Sequence, residues 1–236
     1  MDSYDKWLET IVSSDSTNGG GPYLAPTFYN ILKRNHVKTL FEWCSGPAWI
    51  GIYLLEKGIC SNLVLADINN TAINEACKTL KAKNLLHKCR LYISNNLDQI
   101  DKDEKFDLVV SNPPNYCNIR EDHPHGHLRD DLRPYDKDWE LHRDFYSKIN
   151  KFLNRDARMY ISEIAPYSKK IYQGHDTIPY DDRSIKPIDV FKDMINKCGL
   201  ALNKVIQSNM HQDLLNPPIL DENRNIIDKF YILDIS

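Results

Sequence analysis

The sequence lacks any apolar run close to the roughly 20 residues that a membrane-spanning helix needs. Its first residues also lack the apolar segment of a secretory signal peptide. The six cysteines are dispersed without a Cys-x-x-Cys pair, which argues against a zinc motif and indicates reduced thiols. These absences predict a cytoplasmic protein with no membrane partner and no metal.

Positive charge is not concentrated in any segment of the chain. The formal net charge is -3, and no dense run of lysine and arginine occurs. Because phosphate contacts dominate affinity for nucleic acids, proteins that bind DNA or RNA usually carry a basic patch. The composition therefore disfavours nucleic acid as a partner and favours a protein, peptide or small-molecule substrate. With 236 residues, the chain can bury one substantial core.

A buried-strand pattern from 106 to 111 runs directly into Asn112-Pro113-Pro114. The prolines end the strand because they lack an N–H donor and fix φ. In open parallel α/β sheets, ligands bind at this carboxyl edge. We therefore expect the side-chain carbonyl of Asn112 and the backbone carbonyl of Pro113 to accept hydrogen bonds from one N–H2 group. A second Asn-Pro-Pro, at 216–218, follows polar residues and is predicted to be a loop.

Three further buried strands are predicted upstream, at 37–44, 62–69 and 89–94. The first is followed by a turn of small residues and an apolar helix, which is the usual cradle for a nucleotide. The second ends at Asp67, whose carboxylate suits two ribose hydroxyls, although it could also cap the helix that follows. The third ends at Asn95 and Asn96, for which turn formation is the ordinary alternative.

In this order the four segments resemble the class I S-adenosylmethionine-dependent methyltransferases with an Asn-Pro-Pro-(aromatic) motif, which methylate amide or exocyclic amino nitrogens. The HemK-like protein-glutamine N-methyltransferases and the "methyltransferase small domain" proteins are the most similar groups. The resemblance implies S-adenosyl-L-methionine as cofactor and Asn112, Pro113 and Pro114 as catalytic residues. It implies cofactor-binding roles for Glu42, Cys44, Gly46, Ala48, Asp67, Ile68, Asn95, Asn96 and Asn112. Within that set, Ile68 is expected against the adenine face and Asn96 at its amino group.

The chain departs from the family pattern at four positions. The family has an acidic residue followed by Gly-x-Gly-x-Gly, and here Glu42 and Gly46 fit while Cys44 and Ala48 replace the outer glycines. Alanine tolerates a positive φ less well than glycine. Asn96 stands at a position that is usually acidic, and Asn115 replaces the aromatic residue that stacks on a flat acceptor.

The resemblance implies an α/β fold: a Rossmann-like seven-stranded sheet with helices on both faces, the last strand antiparallel, and a short N-terminal helical appendage. The predicted domains are an appendage with a glycine-rich hinge at 1–35 and a methyltransferase domain at 36–236. Later strands are predicted at 158–164, 200–207 and 229–233. Helices are predicted at about 139–153 and at 187–198, the second ended by Gly199.

The segment from 115 to 138 and the helix after it supply the candidate residues for binding the methyl acceptor. These are Asn115, Tyr116, which could replace the missing aromatic, and His142, the obvious proton acceptor with a near-neutral pKa. Packing inside the protein is the alternative for His142. Three alternate histidines at 123–127 lack a fourth ligand, so an exposed loop is predicted there instead of a metal site. The acidic residues at 130–138 suit either a plain surface or a cationic substrate.

The leading hypothesis is an N-methyltransferase that acts on an amide, amine or guanidine nitrogen of a protein side chain, peptide or small metabolite. Positioning supplies most of the catalysis, because the methyl already sits on a positively charged leaving group. One alternative is an RNA or DNA amino-group methyltransferase of the same fold. The other is a non-catalytic protein that binds the cofactor or a partner.

Overall fold

The structure, a computed structural model, describes residues 3–14, 17, 21–115, 118–119, 135–165, 175–176, 187–207 and 229–236. The chain divides into two compact units. The first contains Met1–Asn112 and Lys151–Tyr160, and the second contains Pro113–Asn150 and Ile161–Ser236.

The helices and strands are labelled in chain order. The helices are α1 (Ser3–Leu8), α2 (Gly21–Leu32), α3 (Trp49–Glu56), α4 (Asn70–Ala82), α5 (Glu140–Ile149) and α6 (Pro187–Lys197). The strands are β1 (Val37–Trp43), β2 (Cys60–Asp67), β3 (Cys89–Ile93), β4 (Phe106–Ser111), β5 (Asn118–Ile119), β6 (Leu153–Ala165), β7 (His175–Asp176), β8 (Leu202–Gln207) and β9 (Lys229–Ile235).

The main sheet has seven strands in the order β3-β2-β1-β4-β6-β9-β8. Strand β1 pairs in parallel with β2 and β4, and β2 pairs in parallel with β3. The last strand, β9, runs antiparallel to β8. The predicted seven-stranded Rossmann-like sheet is therefore confirmed, including its antiparallel last strand. A separate pair, β5 with β7, was not predicted.

The core of the first unit follows from the apolar runs in the sequence. In β4 the residues Phe106, Leu108, Val109 and Val110 are all buried, as the pattern predicts. The rings of Phe41 and Phe106 stack with their centroids 4.4 Å apart. Every residue of α3 except the last is buried, which fits a helix that is apolar on all sides.

The N-terminal segment packs against α3 and α4 of the same unit. The indole of Trp7 donates to the carboxylate of Glu56, and the backbone N–H of Val12 donates to the hydroxyl of Thr79 at 2.9 Å. The hydroxyl of Thr17 donates to the carboxylate of Glu75. These contacts tie the described N-terminal residues to the fold, and the domain boundary at residue 35 stays a prediction.

Strand β6 and the helix before it differ from the predicted elements, since β6 begins at Leu153 and the strand was predicted from 158. The helix predicted at 139–153 ends at Ile149, because Lys151 and Phe152 form a turn and Leu153 already begins β6. In the described ranges, no helix is long and apolar enough to cross a membrane.

Candidate active site

The turn between β1 and α3 has the backbone of a glycine-rich loop although only one of its residues is glycine. Cys44, Gly46 and Ala48 have φ values of 51°, 52° and 65°, all in the left-handed region. A left-handed conformation costs a residue with a Cβ about 1–2 kcal/mol. The two replacements noted in the sequence therefore keep the conformation that glycine would adopt, at an energetic cost.

Glu42 lies buried at the end of β1 and is only 2% exposed. Its Oε2 accepts a hydrogen bond of 2.8 Å from the backbone N–H of Gly51. Burial raises the pKa of this carboxyl to about 8, although hydrogen bonds from the backbone of Gly51 and Ile50 oppose the shift. A side chain at Gly51 would collide with Glu42, since an added Cβ would lie 2.5 Å from Oε2.

Asp67, at the end of β2, organises the neighbouring backbone. Its Oδ2 accepts from the N–H of Gly46 at 2.7 Å, and its Oδ1 accepts from the N–H of Asn69 at 2.8 Å. Burial raises the pKa of Asp67, and these backbone donors act against that shift. The cap of helix α4 is Asn69 itself, whose side chain accepts from Thr71 at 2.9 Å. The ordinary alternative for Asp67, capping this helix, is therefore taken by another residue.

The remaining predicted cofactor residues lie at the ends of β2 and β3. Ile68 is 52% exposed, so its apolar side chain is accessible to a ligand. Asn95 donates its backbone N–H to the side chain of Gln99 at 2.8 Å. Asn96 has a φ of 56°, and its carbonyl accepts from Ser94 at 2.8 Å. Turn formation, the alternative given for the two asparagines, therefore occurs.

Asn112 follows the last residue of β4, as the sequence predicts. Its Oδ1 is buried and has no hydrogen-bond partner in the described part of the chain. A buried oxygen without a partner costs about 1–3 kcal/mol. The oxygen that the sequence assigns to the acceptor nitrogen is thus available to a ligand.

Pro113, Pro114 and Asn115 are all buried at the start of the second unit. The side-chain amide of Asn115 donates to the backbone carbonyl of Pro113 at 2.7 Å. A carbonyl oxygen has two lone pairs, so this contact leaves the Pro113 oxygen one further acceptor position. Tyr116 and the histidines at 123–127 lie outside the described residues.

His142 is fully buried, and both of its ring nitrogens contact carboxylates. Nδ1 lies 2.6 Å from Asp136 Oδ2, and Nε2 lies 3.0 Å from Glu163 Oε1. A substrate could reach a ring nitrogen only if one of these contacts broke. Packing inside the protein, the alternative given for His142, is therefore what the structure shows.

Glu163 was not predicted as a site residue from the sequence, and Asp136 was predicted only as part of an acidic surface or a substrate-binding segment. Asp136 is 4% exposed and accepts from the backbone N–H groups of Leu141 and His142 at the start of α5. Glu163 is 1% exposed. The sequence could have indicated Glu163, because it is an acidic residue inside an apolar strand. Charged side chains are seldom fully buried unless they are paired.

Comparison with known proteins shows which proteins the chain is similar to. Residues 11–123 match the model of the methyltransferase small domain. The chain is 30% identical over 124 residues to the release factor glutamine methyltransferase of Clostridium acetobutylicum, covering 50% of this chain and 42% of that protein. It is 33% identical over 78 residues to the ribosomal protein uL3 glutamine methyltransferase of Francisella tularensis, covering 33% of this chain and 24% of that protein. The chain spans less than half the length of these curated relatives.

Among solved structures, the fold is similar to that of a ribosomal protein L11 methylase from Lactobacillus delbrueckii subsp. bulgaricus. The TM-score is 0.54 at 14% sequence identity, and the match covers 90% of this chain and 76% of that one. At this identity the likeness shows the fold alone. The resemblance to class I methyltransferases that the sequence carries is confirmed by these matches.

Proposed function

We propose that this protein is an S-adenosylmethionine-dependent N-methyltransferase. Residues 11–123 match the methyltransferase small domain, and the fold is that of the class I methyltransferases. Its acceptor is a nitrogen of a protein or peptide side chain, with a side-chain amide as the first candidate. The names of the two relatives, both glutamine methyltransferases, support that choice. Amine and guanidine nitrogens of such side chains are the next candidates, and a small metabolite is the alternative acceptor.

The observation that carries the proposal is the buried Oδ1 of Asn112, which lacks a hydrogen-bond partner in the described part of the chain. A scaffold protein has no use for an unsatisfied buried acceptor directly after a sheet strand, because the protein would be more stable without it. An N–H group of a substrate satisfies this oxygen. The Pro113 carbonyl, with its second lone pair, supplies the other acceptor for an N–H2 group.

The residues at the ends of β1 and β2 fit the cofactor. Asp67 holds Gly46 and Asn69 through their backbone N–H groups, and each carboxylate oxygen retains lone pairs for a ribose hydroxyl. The exposed side chain of Ile68 adjoins Asp67 in sequence and offers an apolar surface for an adenine ring. We propose that Glu42, Cys44, Ala48, Asn95 and Asn96 complete the cofactor site.

The mechanism needs positioning more than proton transfer. The cofactor supplies a methyl group on a positively charged sulfur, which is a good leaving group. Asn112 Oδ1 and the Pro113 carbonyl accept hydrogen bonds from the N–H groups of the acceptor nitrogen. These hydrogen bonds turn the nitrogen lone pair out of conjugation and towards the methyl. With the cofactor bound, the nitrogen lone pair would form the new N–C bond as the S–C bond breaks and leaves its electron pair on sulfur. The methylated nitrogen would then release one proton to solvent, so no strong base is needed.

The proposal is tested with cofactor labelled in the methyl group. The full-length protein is incubated with a cell extract freed of endogenous cofactor, and label is counted in the protein, nucleic-acid and small-molecule fractions. We expect label that protease releases and nuclease does not. Label released only by nuclease would support the nucleic-acid alternative instead. Failure to label any fraction, with cofactor binding confirmed, would support the non-catalytic alternative.

The role of Asn112 is tested by Asn112→Ala, with Asn216→Ala in the second Asn-Pro-Pro as the matched control. Removing one such polar contact typically lowers turnover by about 100-fold or more. We expect that loss in Asn112→Ala, with the cofactor dissociation constant unchanged within about threefold and the control fully active. Equal turnover in both variants would contradict the proposed role.

A further inference from the structure

The N-terminal segment, which the structure describes at residues 3–14 and 17, reaches the loop that connects β1 to α3. The backbone carbonyl of Thr17 lies 3.9 Å from the position that a Cβ on Gly46 would take. The backbone N–H of Gly46 in turn donates to Asp67 Oδ2 at 2.7 Å. Thr17 therefore lies at the carboxyl edge of the sheet, next to two residues of the proposed cofactor site. All three residues belong to the first unit.

A buried carboxylate holds Thr17 in this place. The hydroxyl of Thr17 donates to Glu75 Oε2 on helix α4. The same hydroxyl accepts from the backbone N–H of Ser14 at 3.0 Å, and the N–H of Thr17 donates to the Ser14 carbonyl at 3.0 Å. Thr17 and Glu75 are each 6% exposed. The hydrogen bond between them is therefore shielded from water, which strengthens a polar contact.

Both polar side chains on the buried face of α4 bind the N-terminal segment. The other buried residues of this helix are apolar, namely Ala72, Ile73, Ala76 and Leu80. The hydroxyl of Thr79 accepts from the backbone N–H of Val12 at 2.9 Å, and Glu75, about one turn earlier, accepts from Thr17. Burying a carboxyl group is costly, and an apolar side chain would pack at that position without the cost. The two polar positions therefore dock the segment at a fixed place along α4.

Attachment of the segment to the fold does not by itself require a fixed place for Thr17. The first part of the segment is held to α3 by aromatic contacts, with the rings of Trp7 and Tyr53 4.8 Å apart between centroids. The ring of Tyr4 contacts the same tyrosine at 5.1 Å. These contacts attach the segment, whereas the hydrogen bond to Glu75 sets the distance between Thr17 and Gly46. The buried carboxylate is explained if that distance matters for a ligand.

We propose that Thr17 forms one wall of the cofactor site and that Glu75 is the positioning residue that holds it there. This inference rests on the proposed function, in which the cofactor binds beside Gly46 and Asp67. Ligands of α/β sheets bind at the carboxyl ends of strands, which is where the carbonyl of Thr17 lies. With Thr17 docked, the cofactor is enclosed on this side and dissociates slowly. When the hydrogen bond to Glu75 is broken, the same side is open to solvent.

Substitutions at Thr17 test the proposal without knowledge of the methyl acceptor. The probe is S-adenosylhomocysteine, the cofactor without its methyl group, whose dissociation constant is measured by calorimetry and whose dissociation rate is measured by stopped flow on the full-length protein. Thr17→Val removes the hydroxyl and keeps the shape of the side chain, whereas Thr17→Ser keeps the hydroxyl. Thr10→Val is the matched control, because the exposed Thr10 hydroxyl donates within the segment, to the Trp7 carbonyl at 2.6 Å.

We expect Thr17→Val to bind S-adenosylhomocysteine about tenfold more weakly through a faster dissociation rate, since hydrogen bonds to carboxylates are among the strong ones. Thr17→Ser and Thr10→Val should keep the affinity of the unmodified protein. An unchanged dissociation constant in Thr17→Val, or an equal loss in Thr10→Val, would overturn the role of Thr17 and leave the proposed function intact. Failure of the unmodified protein to bind S-adenosylhomocysteine would overturn both.

A measurement on the unmodified protein covers the case in which Thr17→Val does not fold. Hydrogen exchange is followed at the backbone amides of Val12 and Thr17 with and without S-adenosylhomocysteine, and the amide of the exposed Asp103 is the reference. Because a ligand that binds only the docked state stabilises that state, exchange at Val12 and Thr17 should slow by about tenfold while Asp103 is unchanged. Equal exchange at Val12 and Thr17 with and without the ligand would overturn the proposal.

Discussion

Replacing Gly51 with alanine tests whether the buried carboxylate of Glu42 sets the geometry after β1. The new Cβ would lie 2.5 Å from Glu42 Oε2 and 2.8 Å from Leu63 Cδ1. Real Cβ atoms essentially never make contacts this short. Both neighbours are buried, Glu42 at 2% and Leu63 at 0% exposure, so neither can move into solvent.

The expected loss of stability has two parts. Inserting a methyl group into a packed core costs about 1–3 kcal/mol. Displacing Glu42 Oε2 from the Gly51 N–H, at 2.8 Å, leaves buried polar groups poorly paired and costs about 1–3 kcal/mol more. Alanine regains about 1 kcal/mol through its higher helix propensity. We therefore expect Gly51→Ala to lower the free energy of unfolding by about 3 kcal/mol.

The assay is urea denaturation at one fixed pH, carried out as a double-mutant cycle with Glu42→Ala. Removing the carboxylate removes the shortest contact, so Gly51→Ala should cost at least about 1 kcal/mol less in that background. Gly58→Ala is the control, because its φ of 74° causes strain but no atom lies within 4 Å of the added Cβ. Its cost should be the same in both backgrounds. The reasoning is refuted if Gly51→Ala stabilises the protein, or if its cost does not depend on Glu42.

Two further predictions concern the carboxylates at the ends of β1 and β2. Because the folded protein raises the pKa of Glu42 from 4.5 to about 8, the stabilisation from its bound proton is complete below pH 4.5 and is lost as the pH rises through 8. The free energy of unfolding of Glu42→Gln should therefore rise relative to that of the unmodified protein as the pH rises between those values. A difference between the two proteins that stays constant across that range would contradict the raised pKa of Glu42. Asp67→Ala should weaken S-adenosylhomocysteine binding by about tenfold, the loss of one to two charge-assisted hydrogen bonds, as measured by calorimetry. An unchanged dissociation constant would mean that Asp67 only organises the backbone.

The strands of the first unit could be predicted because their information is local. Runs of buried apolar residues produce β1, β2, β3 and β4, and the prolines after Asn112 fix where the last of these ends. The positions of Asp67 and Asn112 at strand ends follow from the same patterns. No long-range contact is needed to place them.

The cluster around His142 could not be predicted in the same way. Asp136 and Glu163 are separated from His142 by 6 and 21 residues, and only the packing of α5 against β6 joins them. The pattern of a helix shows which face is apolar and does not show which buried polar groups meet there. The end of α5 at Ile149 was missed for a related reason, because the turn at 151–152 is set by the start of β6.

The hydrogen bond from Asn115 to the Pro113 carbonyl has a consequence for acceptor choice. Under the proposed function, the protein holds a carboxamide of its own beside the carbonyl that an incoming amide uses. The Asn115 hydrogen bond occupies one of the two acceptor positions of that oxygen, so an incoming N–H group is restricted to the other. Under the proposed function, the residue that replaces the family's aromatic ring thereby limits the direction from which the acceptor nitrogen approaches.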